Sequence, residues 1–342
     1  MKVRQITIYD IAKAAKVGVG TVSRVFNGSS RVSSDTKAKV LETARELHYQ
    51  PHSYARWLTR RHVRTIAVMV PHFGHYFFHE ILSAVQQKTE ELNIDLVLYG
   101  GKAPDQVEAN IIRAIQNGHT DGLILFSIML SERYIKILKE SGLPVVLADA
   151  ESSHFDSFTI ANSEGAYVAT NHLIALGHTS VGMINAQLTT PPAIQRLEGY
   201  KRALDRHGIP YSDDLVKTSA TDKWGGFYRD AGYQAMLEFL KLGPAMPKAF
   251  FVSSDIQAIG AIDALSENEL RVPEDVAIVG FDDIELAQEM KLTTMRQPIF
   301  ELGTLAVERI ALRMSNHRTE IIHKSFSPSL VIRRSCGALR KD

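Results

Sequence analysis

The chain of 342 residues has few of the features that secreted and membrane proteins depend on. Its single cysteine, Cys336, cannot form an internal disulfide, and we interpret it as a buried or idle thiol. No apolar run of about 18 residues is present, and the N-terminal MKVRQITIYD lacks the apolar stretch of a signal peptide. The sequence therefore predicts a protein that spans no membrane and stays in the cytoplasm.

Several enzyme motifs are missing as well. The sequence contains no Walker phosphate loop, no Gly-x-Ser-x-Gly elbow, no cysteine pair with metal spacing and no His-Glu-x-x-His. The 13 histidines are scattered; His72, His75 and His79 lie close together, but after an apolar run they are more typical of a cleft wall than of a metal site. We therefore predict a protein that is not an enzyme and needs no metal or cofactor.

The formal net charge is also small, but it is unevenly distributed. It is +1 overall, yet residues 1–64 hold 13 lysines and arginines against 4 acidic residues, whereas the remainder holds 26 against 34. A basic segment of this kind is typical of a surface that binds nucleic-acid phosphates, and an acidic body avoids them. A solvated basic surface is the alternative, so the motif within the segment decides between the two.

The segment from Thr7 to Asn27, TIYDIAKAAKVGVGTVSRVFN, predicts two short helices joined by a tight turn. Thr7 and Asp10 form a capping box ahead of apolar residues at helical spacing. Lys16 to Gly18 interrupt this pattern, and it resumes at Val19. In a helix-turn-helix, the N-terminal end of the second helix enters the major groove of DNA.

The exposed face of this second helix carries side chains that suit DNA. Thr21 and Ser23 can donate to phosphate oxygens, and the planar guanidinium of Arg24 matches a guanine edge. Val19 offers an apolar contact for a thymine methyl group, whereas Gly20 offers no side chain. From these residues alone, a small helical hairpin with a solvated polar face remains the alternative.

A family resemblance extends over the next forty residues. The stretches TIYDIAKAAKVGVGTVSRVFNG, RVSSDTKAKVLETARELHYQP and SYARWL together closely resemble the DNA-binding head and hinge of the lactose-repressor (LacI/GalR) family of bacterial transcription regulators. The resemblance continues in order to SLVIRRS near the C-terminus, which looks like the closing strand of the family. It implies a homodimer on a pseudo-palindromic operator in double-stranded DNA, with half-sites about one helical turn apart.

In this family, the segment after the head folds into a hinge helix on the operator. Leu58 matches the leucine that wedges into the minor groove, and Ala55 matches the small residue that lets two hinges pack. A plain flexible linker is the alternative. The other DNA contacts that we expect are those of Thr7, Tyr9, Asn27, Ser33, Tyr49 and His52.

From Thr65 onward, short apolar runs alternate with helical stretches. The runs TIAVMV, IDLVLYG, GLILF and PVVLAD, and then VGMIN, AFFVS and VAIVGF, are typical of buried strands. This alternation predicts parallel sheets that helices cover on both faces. With the resemblance, the fold class is an N-terminal all-α helix-turn-helix head and hinge, then an α/β periplasmic-binding-protein-like effector domain of two doubly wound parallel-sheet lobes.

The resemblance also implies that the chain crosses between the two lobes three times. The expected divisions are the head at 1–51, the hinge at 52–64, the N-lobe at 65–160 plus 297–321, the C-lobe at 161–296 plus 322–336, and a tail at 337–342.

Ligands of open α/β sheets bind beyond the carboxyl ends of the strands, so the cleft between the lobes should hold a small-molecule effector. Arg196 and Asp282 match the ligand-binding arginine and its acidic partner in the family, and such a pair suits the vicinal hydroxyls of a sugar, on which Trp224 could stack. Asp149 and Asp255 follow strands at the same end, although an aspartate there can equally cap the next helix. The remaining candidates are Phe73, His75, Phe77 and Phe78, which can be partly core, and Gln297 at a crossing.

Together these predictions describe a repressor-type transcription regulator under the allosteric control of a sugar or sugar derivative. A regulator of the same family with a purine or nucleoside corepressor is one alternative. A solute-binding protein is another, but the basic head and the missing signal peptide argue against it.

Overall fold

A computed structural model describes residues 7–26, 31–47, 64–101, 103–116, 120–220, 223–316 and 319–338, without the side chains of Pro104 and Trp224. The chain divides into two compact units, Met1–Arg64 and Thr65–Asp342.

The first unit contains the predicted helix-turn-helix. Its helices are α1 Ile8–Ala15, α2 Val19–Phe26 and α3 Ser34–Glu46. The Asp10 carboxylate accepts from the backbone N–H and the hydroxyl of Thr7 at 2.8 and 2.7 Å, and Ser33 caps α3. Lys16 ends α1 in the left-handed conformation, with φ +54°. The core consists of Ile11, Ala12, Ala15, Val22, Val25, Val40 and Ala44.

The second unit contains two sheets of six strands each. The first sheet has the order β11-β5-β4-β3-β1-β2 and the second the order β12-β10-β9-β8-β6-β7. The strands of the first sheet are β1 Arg64–Val70, β2 Ile94–Gly100, β3 Gly122–Phe126, β4 Val145–Ala148, β5 Asp156–Ile160 and β11 His323–Phe326. Those of the second are β6 Gly182–Asn185, β7 Val216–Thr218, β8 Ala249–Val252, β9 Ala277–Asp282, β10 Thr293–Arg296 and β12 Ser329–Val331.

Helices cover the sheets, and the described strand pairs are parallel apart from β10 with β12. Each sheet with its helices forms one lobe. The first lobe, built on the first sheet, has α4 Tyr76–Glu91, α5 Pro104–Gln116, α6 Glu132–Ser141 and α12 Ile299–Ser315. The second has α7 Asn162–Ala175, α8 Pro191–Arg206, α9 Arg229–Leu240, α10 Asp255–Glu267 and α11 Glu285–Glu289. Each lobe has two apolar cores of buried residues, as expected for a sheet covered on both faces. The expected fold class is confirmed.

The third crossing between the lobes differs from the sequence prediction. Residues 322–336 were expected in the second lobe, but β11 pairs with β5 in the first sheet, so the chain crosses after Phe326. The reason is a buried charge cluster at Asp156, whose carboxylate accepts from Arg309 at 2.8 Å, from Arg313 at 2.5 Å and from the Ile322 N–H at 2.8 Å. These bonds hold the chain at residue 322 against the first sheet.

Four strands were not predicted from the sequence. They are β5, β7, β10 and β11, which read DSFTI, VKT, TTMR and HKSF. Each is short and rich in polar residues, so none of them forms an apolar run that periodicity could detect. No described helix is both long and apolar enough to cross a bilayer.

Candidate functional site

Arg196 lies at the centre of a cluster of polar side chains at the carboxyl ends of the strands. It projects from α8 and is almost fully buried. Its Nε donates to Oδ1 of Asn162 at 2.9 Å, and its Nη1 donates to the carbonyl of Ser253. The guanidinium carbon also lies 3.7 Å from the centre of the Phe281 ring. The arginine is thus held on three sides by protein groups.

Asp282 is the acidic partner of Arg196 within the second lobe. Its Oδ1 lies 3.7 Å from Nη1 of Arg196 and accepts from Nε2 of Gln297 at 2.5 Å. Asp282 is the last residue of β9 and has φ +126°, an unusual conformation for a residue with a side chain. Burial raises the pKa of Asp282, and the charge of Arg196 opposes this effect. The structure therefore brings together three predicted effector residues, Arg196, Asp282 and Gln297.

The first lobe contributes a second carboxylate to the same cluster. Asp149 follows β4 with φ +52°, and its Oδ2 accepts from the Ser127 hydroxyl at 2.5 Å. Burial raises the pKa of Asp149, whereas Ser127 and the positive charge of Arg196 lower it. Because Asp149 and Arg196 belong to different lobes, their electrostatic interaction acts across the cleft.

Asp255, for which the sequence left effector contact and a structural role open, holds the chain that follows β9. Its Oδ2 accepts from the N–H groups of Asp283 and Ile284 at 2.7 and 3.1 Å, and its Oδ1 accepts from the Thr294 hydroxyl at 2.6 Å. The side chain is completely buried, and this burial raises its pKa to about 6. Both oxygens are used to hold the chain after β9, so we assign Asp255 to the structure of the lobe rather than to effector contact.

Only some of the aromatic residues predicted to line the cleft are exposed there. Phe77 and Phe78 are buried in the core of the first lobe, because the first turn of α4 packs onto the sheet. The prediction that Phe77 and Phe78 line the cleft is therefore corrected, and both follow the alternative of a core position. Phe73 is half exposed and packs on Gly100, where an added Cβ would come within 2.3 Å of its ring. His75 caps α4 and contacts the second lobe through the Phe227 carbonyl.

The predicted DNA-reading residues lie on the surface of the head. Tyr9, Gly20 and Arg24 are exposed, and Val19, Thr21 and Ser23 are partly exposed. Val22 and Val25 of the same helix are buried, so α2 has one apolar face in the core and one polar face outside. Thr7 and Ser33 are exposed at the starts of α1 and α3.

Comparisons with known proteins agree with this geometry. Residues 7–52 match the family model described as bacterial regulatory proteins of the lacI family, and residues 170–336 match a periplasmic binding protein-like domain. The ribose operon repressor of Haemophilus influenzae is 34% identical over 340 residues, which cover 98% of this chain and 99% of that protein. The chain belongs to the LacI family.

Two solved structures extend this family relationship to three dimensions. A transcriptional regulator CelR–cellobiose complex has a TM-score of 0.71 and 30% identity, over 97% of this chain and 100% of that one. The Lac repressor dimer bound to operator and the anti-inducer ONPF has a TM-score of 0.77 and 26% identity. The match covers 97% of this chain and 99% of that chain. As a LacI-family member, the protein is a DNA-binding transcription regulator.

Some residues in this LacI-family cleft were missed by the sequence prediction. Asn162 positions Arg196, and the Gln257 amide donates to the carbonyls of Asn185 and Gly226 at 3.2 and 3.1 Å. Ser127 positions Asp149. Ser127 and Asn162 each lie just after a strand, but β5, which precedes Asn162, was itself not predicted, and Gln257 lies inside α10.

Other predicted residues lie outside the described part of the chain. These are Asn27, Tyr49, His52, Ala55, Leu58 and the side chain of Trp224.

Proposed function

We propose that this LacI-family regulator is a repressor that binds a pseudo-palindromic operator as a homodimer and responds to a neutral sugar bound between its lobes. Its place of action would be the cytoplasm, where operator DNA is found. The bound effector changes the angle between the lobes, and this change orders or releases the hinge on DNA. The coupling free energy expected for such a system is about 1–3 kcal/mol, and it acts equally on effector and operator affinity.

The observation that carries this proposal is the arrangement of Arg196, Asp282 and Asp149. Arg196 supplies N–H donors and the two aspartates supply acceptors, and they come from both lobes. Adjacent hydroxyl groups of a sugar both donate and accept, so they can pair with such a set. A ligand that contacts Asp149 and Asp282 together stabilises the closed arrangement of the lobes.

The balance of charge favours an uncharged sugar over a sugar phosphate. The positive charge of Arg196 lies among the carboxylates of Asp282, Asp149 and Asp255, which all interact with it. A phosphate group would add negative charge to a buried site that already holds more acidic than basic groups, and burial makes such repulsion costly. A neutral polyol adds no charge.

The similarity to proteins with sugar-related names supports the same effector class. One relative is a ribose operon repressor, and one solved neighbour is a complex with cellobiose. A purine or nucleoside corepressor is the alternative, since a flat base could use the same aromatic and polar groups.

For the DNA side, we propose that α2 reads the operator. Arg24 would contact a guanine, Thr21 and Ser23 would bind phosphates, and Val19 would meet a thymine methyl group. Tyr9, Thr7 and Ser33 would add contacts from the starts of the other helices. In the hinge, Leu58 and Ala55 would act at the minor groove as they do in the family.

The effector proposal is tested by thermal shift of the full chain against neutral sugars, sugar phosphates, nucleosides and purines, because a ligand of the native state raises apparent stability. A neutral sugar that raises the melting temperature and changes operator affinity supports the proposal. A shift with purines or sugar phosphates alone overturns the neutral-sugar class.

The DNA proposal is tested separately with Arg24→Ala. Operator affinity should fall by about 1–3 kcal/mol and specificity should relax at one base pair. Unchanged affinity and specificity would remove Arg24 from the reading surface.

A further inference from the structure

His75 makes a hydrogen bond from one lobe to the other. It lies between β1 and α4 in the first lobe, and its Nε2 is 3.1 Å from the carbonyl oxygen of Phe227, which precedes α9 in the second lobe. The two residues are 152 positions apart in the chain. The bond can therefore exist only when the lobes are close together.

The other ring nitrogen defines the direction of this bond. Nδ1 of His75 accepts from the Phe77 N–H at 3.3 Å and so caps α4. A neutral imidazole has one donor and one acceptor nitrogen. Because Nδ1 accepts, Nε2 carries the hydrogen and donates to the Phe227 carbonyl. The cap of α4 thus orients the ring for the contact between the lobes.

The segment that carries Phe227 is firmly attached to the second lobe. The Gly225 carbonyl accepts from the Gln187 N–H at 2.9 Å, and the Gly226 carbonyl accepts from Nε2 of the buried Gln257 at 3.1 Å. A Cβ at Gly226 would lie 2.8 Å from the Gln187 nitrogen, so this backbone is closely packed. A bond to the Phe227 carbonyl consequently holds the lobe as a whole. Trp224, the predicted stacking residue, belongs to the same segment.

We propose that His75 is a positioning residue that latches the two lobes in the closed state. It acts by donating from Nε2 to the Phe227 carbonyl, rather than by contacting the effector as the sequence predicted. The latch itself needs no ligand. Its influence on effector binding and on the operator rests on the function proposed above.

The expected size of the effect follows from the loss of one hydrogen bond. Such a bond contributes about two- to tenfold to an equilibrium. Because it is present in the closed state alone, its loss lowers the ratio of closed to open molecules by that factor. Effector affinity, which depends on closure, falls by at most the same factor, whereas contacts within either lobe do not change.

The variant His75→Asn separates the latch from the helix cap. Asparagine is a favoured N-cap residue, so it can still accept from the Phe77 N–H, but it is too short to reach Phe227. His75→Ala removes both interactions. His79→Asn is the matched control, because His79 lies one turn further along α4 with an exposed side chain.

The distance between the lobes can be measured on the full chain with a spin label on each lobe. In a Cys336→Ser background, the labels are attached at Lys136→Cys in the first lobe and Lys241→Cys in the second, both exposed. Without effector, His75→Asn and His75→Ala should both move the distribution toward longer distances, and His79→Asn should leave it unchanged. An unchanged distribution in His75→Asn overturns the latch. Lengthening in His75→Ala alone assigns the effect to the helix cap and also overturns it.

Titration with the sugar found by thermal shift keeps this inference apart from the proposed function. Longer distances in His75→Asn support the latch even if no sugar binds the parent protein. Equal sugar affinity in the parent and His75→Asn, together with equal distances, overturns the latch and leaves the sugar regulator in place.

Discussion

Arg196 donates from Nε to Oδ1 of Asn162 at 2.9 Å, and this bond orients the guanidinium within the second lobe. The donor and acceptor come from α8 and α7, which lie side by side in the second lobe. Arg196, the residue that suits ligand binding, therefore also links α8 to α7 within the lobe. Experiments on the cleft have to separate these two roles.

Truncation of Arg196 should destabilise the second lobe. Arg196→Ala leaves Asp282 buried without its cation and Asn162 without its donor, and loss of one partner of a buried ion pair costs about 3–5 kcal/mol. Arg196→Lys keeps the charge and should cost clearly less. Urea denaturation of the full chain measures both values. If Arg196→Ala were as stable as the parent, Arg196 would not stabilise the second lobe.

Asp255 and Asp149 should respond differently to the same change. Asp255→Asn replaces an acceptor that serves two backbone N–H groups and Thr294, so we expect a loss of about 1–3 kcal/mol of stability. The effector affinity of this variant should stay close to that of the parent. Asp149→Asn keeps an oxygen toward Ser127 and should mainly weaken effector binding. Calorimetric titration measures the effector affinity of each variant, and urea denaturation measures its stability. If Asp255→Asn lost affinity and Asp149→Asn lost stability instead, the two assignments would have to be exchanged.

Gly20→Ala should stabilise the head and alter DNA recognition. Alanine favours a helix over glycine by about 0.5–1 kcal/mol. The added Cβ would lie 3.8 Å from a terminal nitrogen of Arg24, an ordinary contact, so the helix accommodates it. Hydrogen exchange of the head amides measures stability, and operator titration measures recognition. A slower exchange with unchanged operator preference would show that residue 20 lies outside the reading surface.

The stability of the effector domain should depend on His75 in mildly acidic solution. Burial lowers the pKa of His75 to about 4, whereas a histidine in the unfolded chain has a pKa near its ordinary value of 6.5. Between these values the unfolded chain binds a proton that the native state does not. The free energy of unfolding therefore falls as the pH is lowered from 6.5 toward 4.

Comparison with His75→Asn isolates this contribution. The variant lacks the titrating ring, so its free energy of unfolding should fall less over the same pH range. Urea denaturation at several pH values measures the difference. Burial also lowers the pKa of His172, but this residue is present in both proteins, so its contribution cancels in the comparison. Parallel pH profiles would show that His75 titrates normally.

The head and most of the lobes could be predicted because their patterns are local. The capping box at Thr7, the apolar face of α2 and the runs that became β1 and β8 depend on residues within a few positions of one another. Strands such as β7 and β11 were missed because they are short and polar. They are strands only because a neighbouring strand offers them hydrogen bonds.

The sequence alone determined the helix-turn-helix, the alternation of strands and helices and the family, since each is encoded by near neighbours or by a motif. For Asp255, which follows a strand as Asp282 ends one, it left effector contact and a structural role open. Tertiary structure decided that the first holds a chain turn while the second faces Arg196. It likewise decided the crossing after Phe326 and the bond from His75 to Phe227. In each case the partner is distant in the chain, and only folding brings the two groups to hydrogen-bond distance.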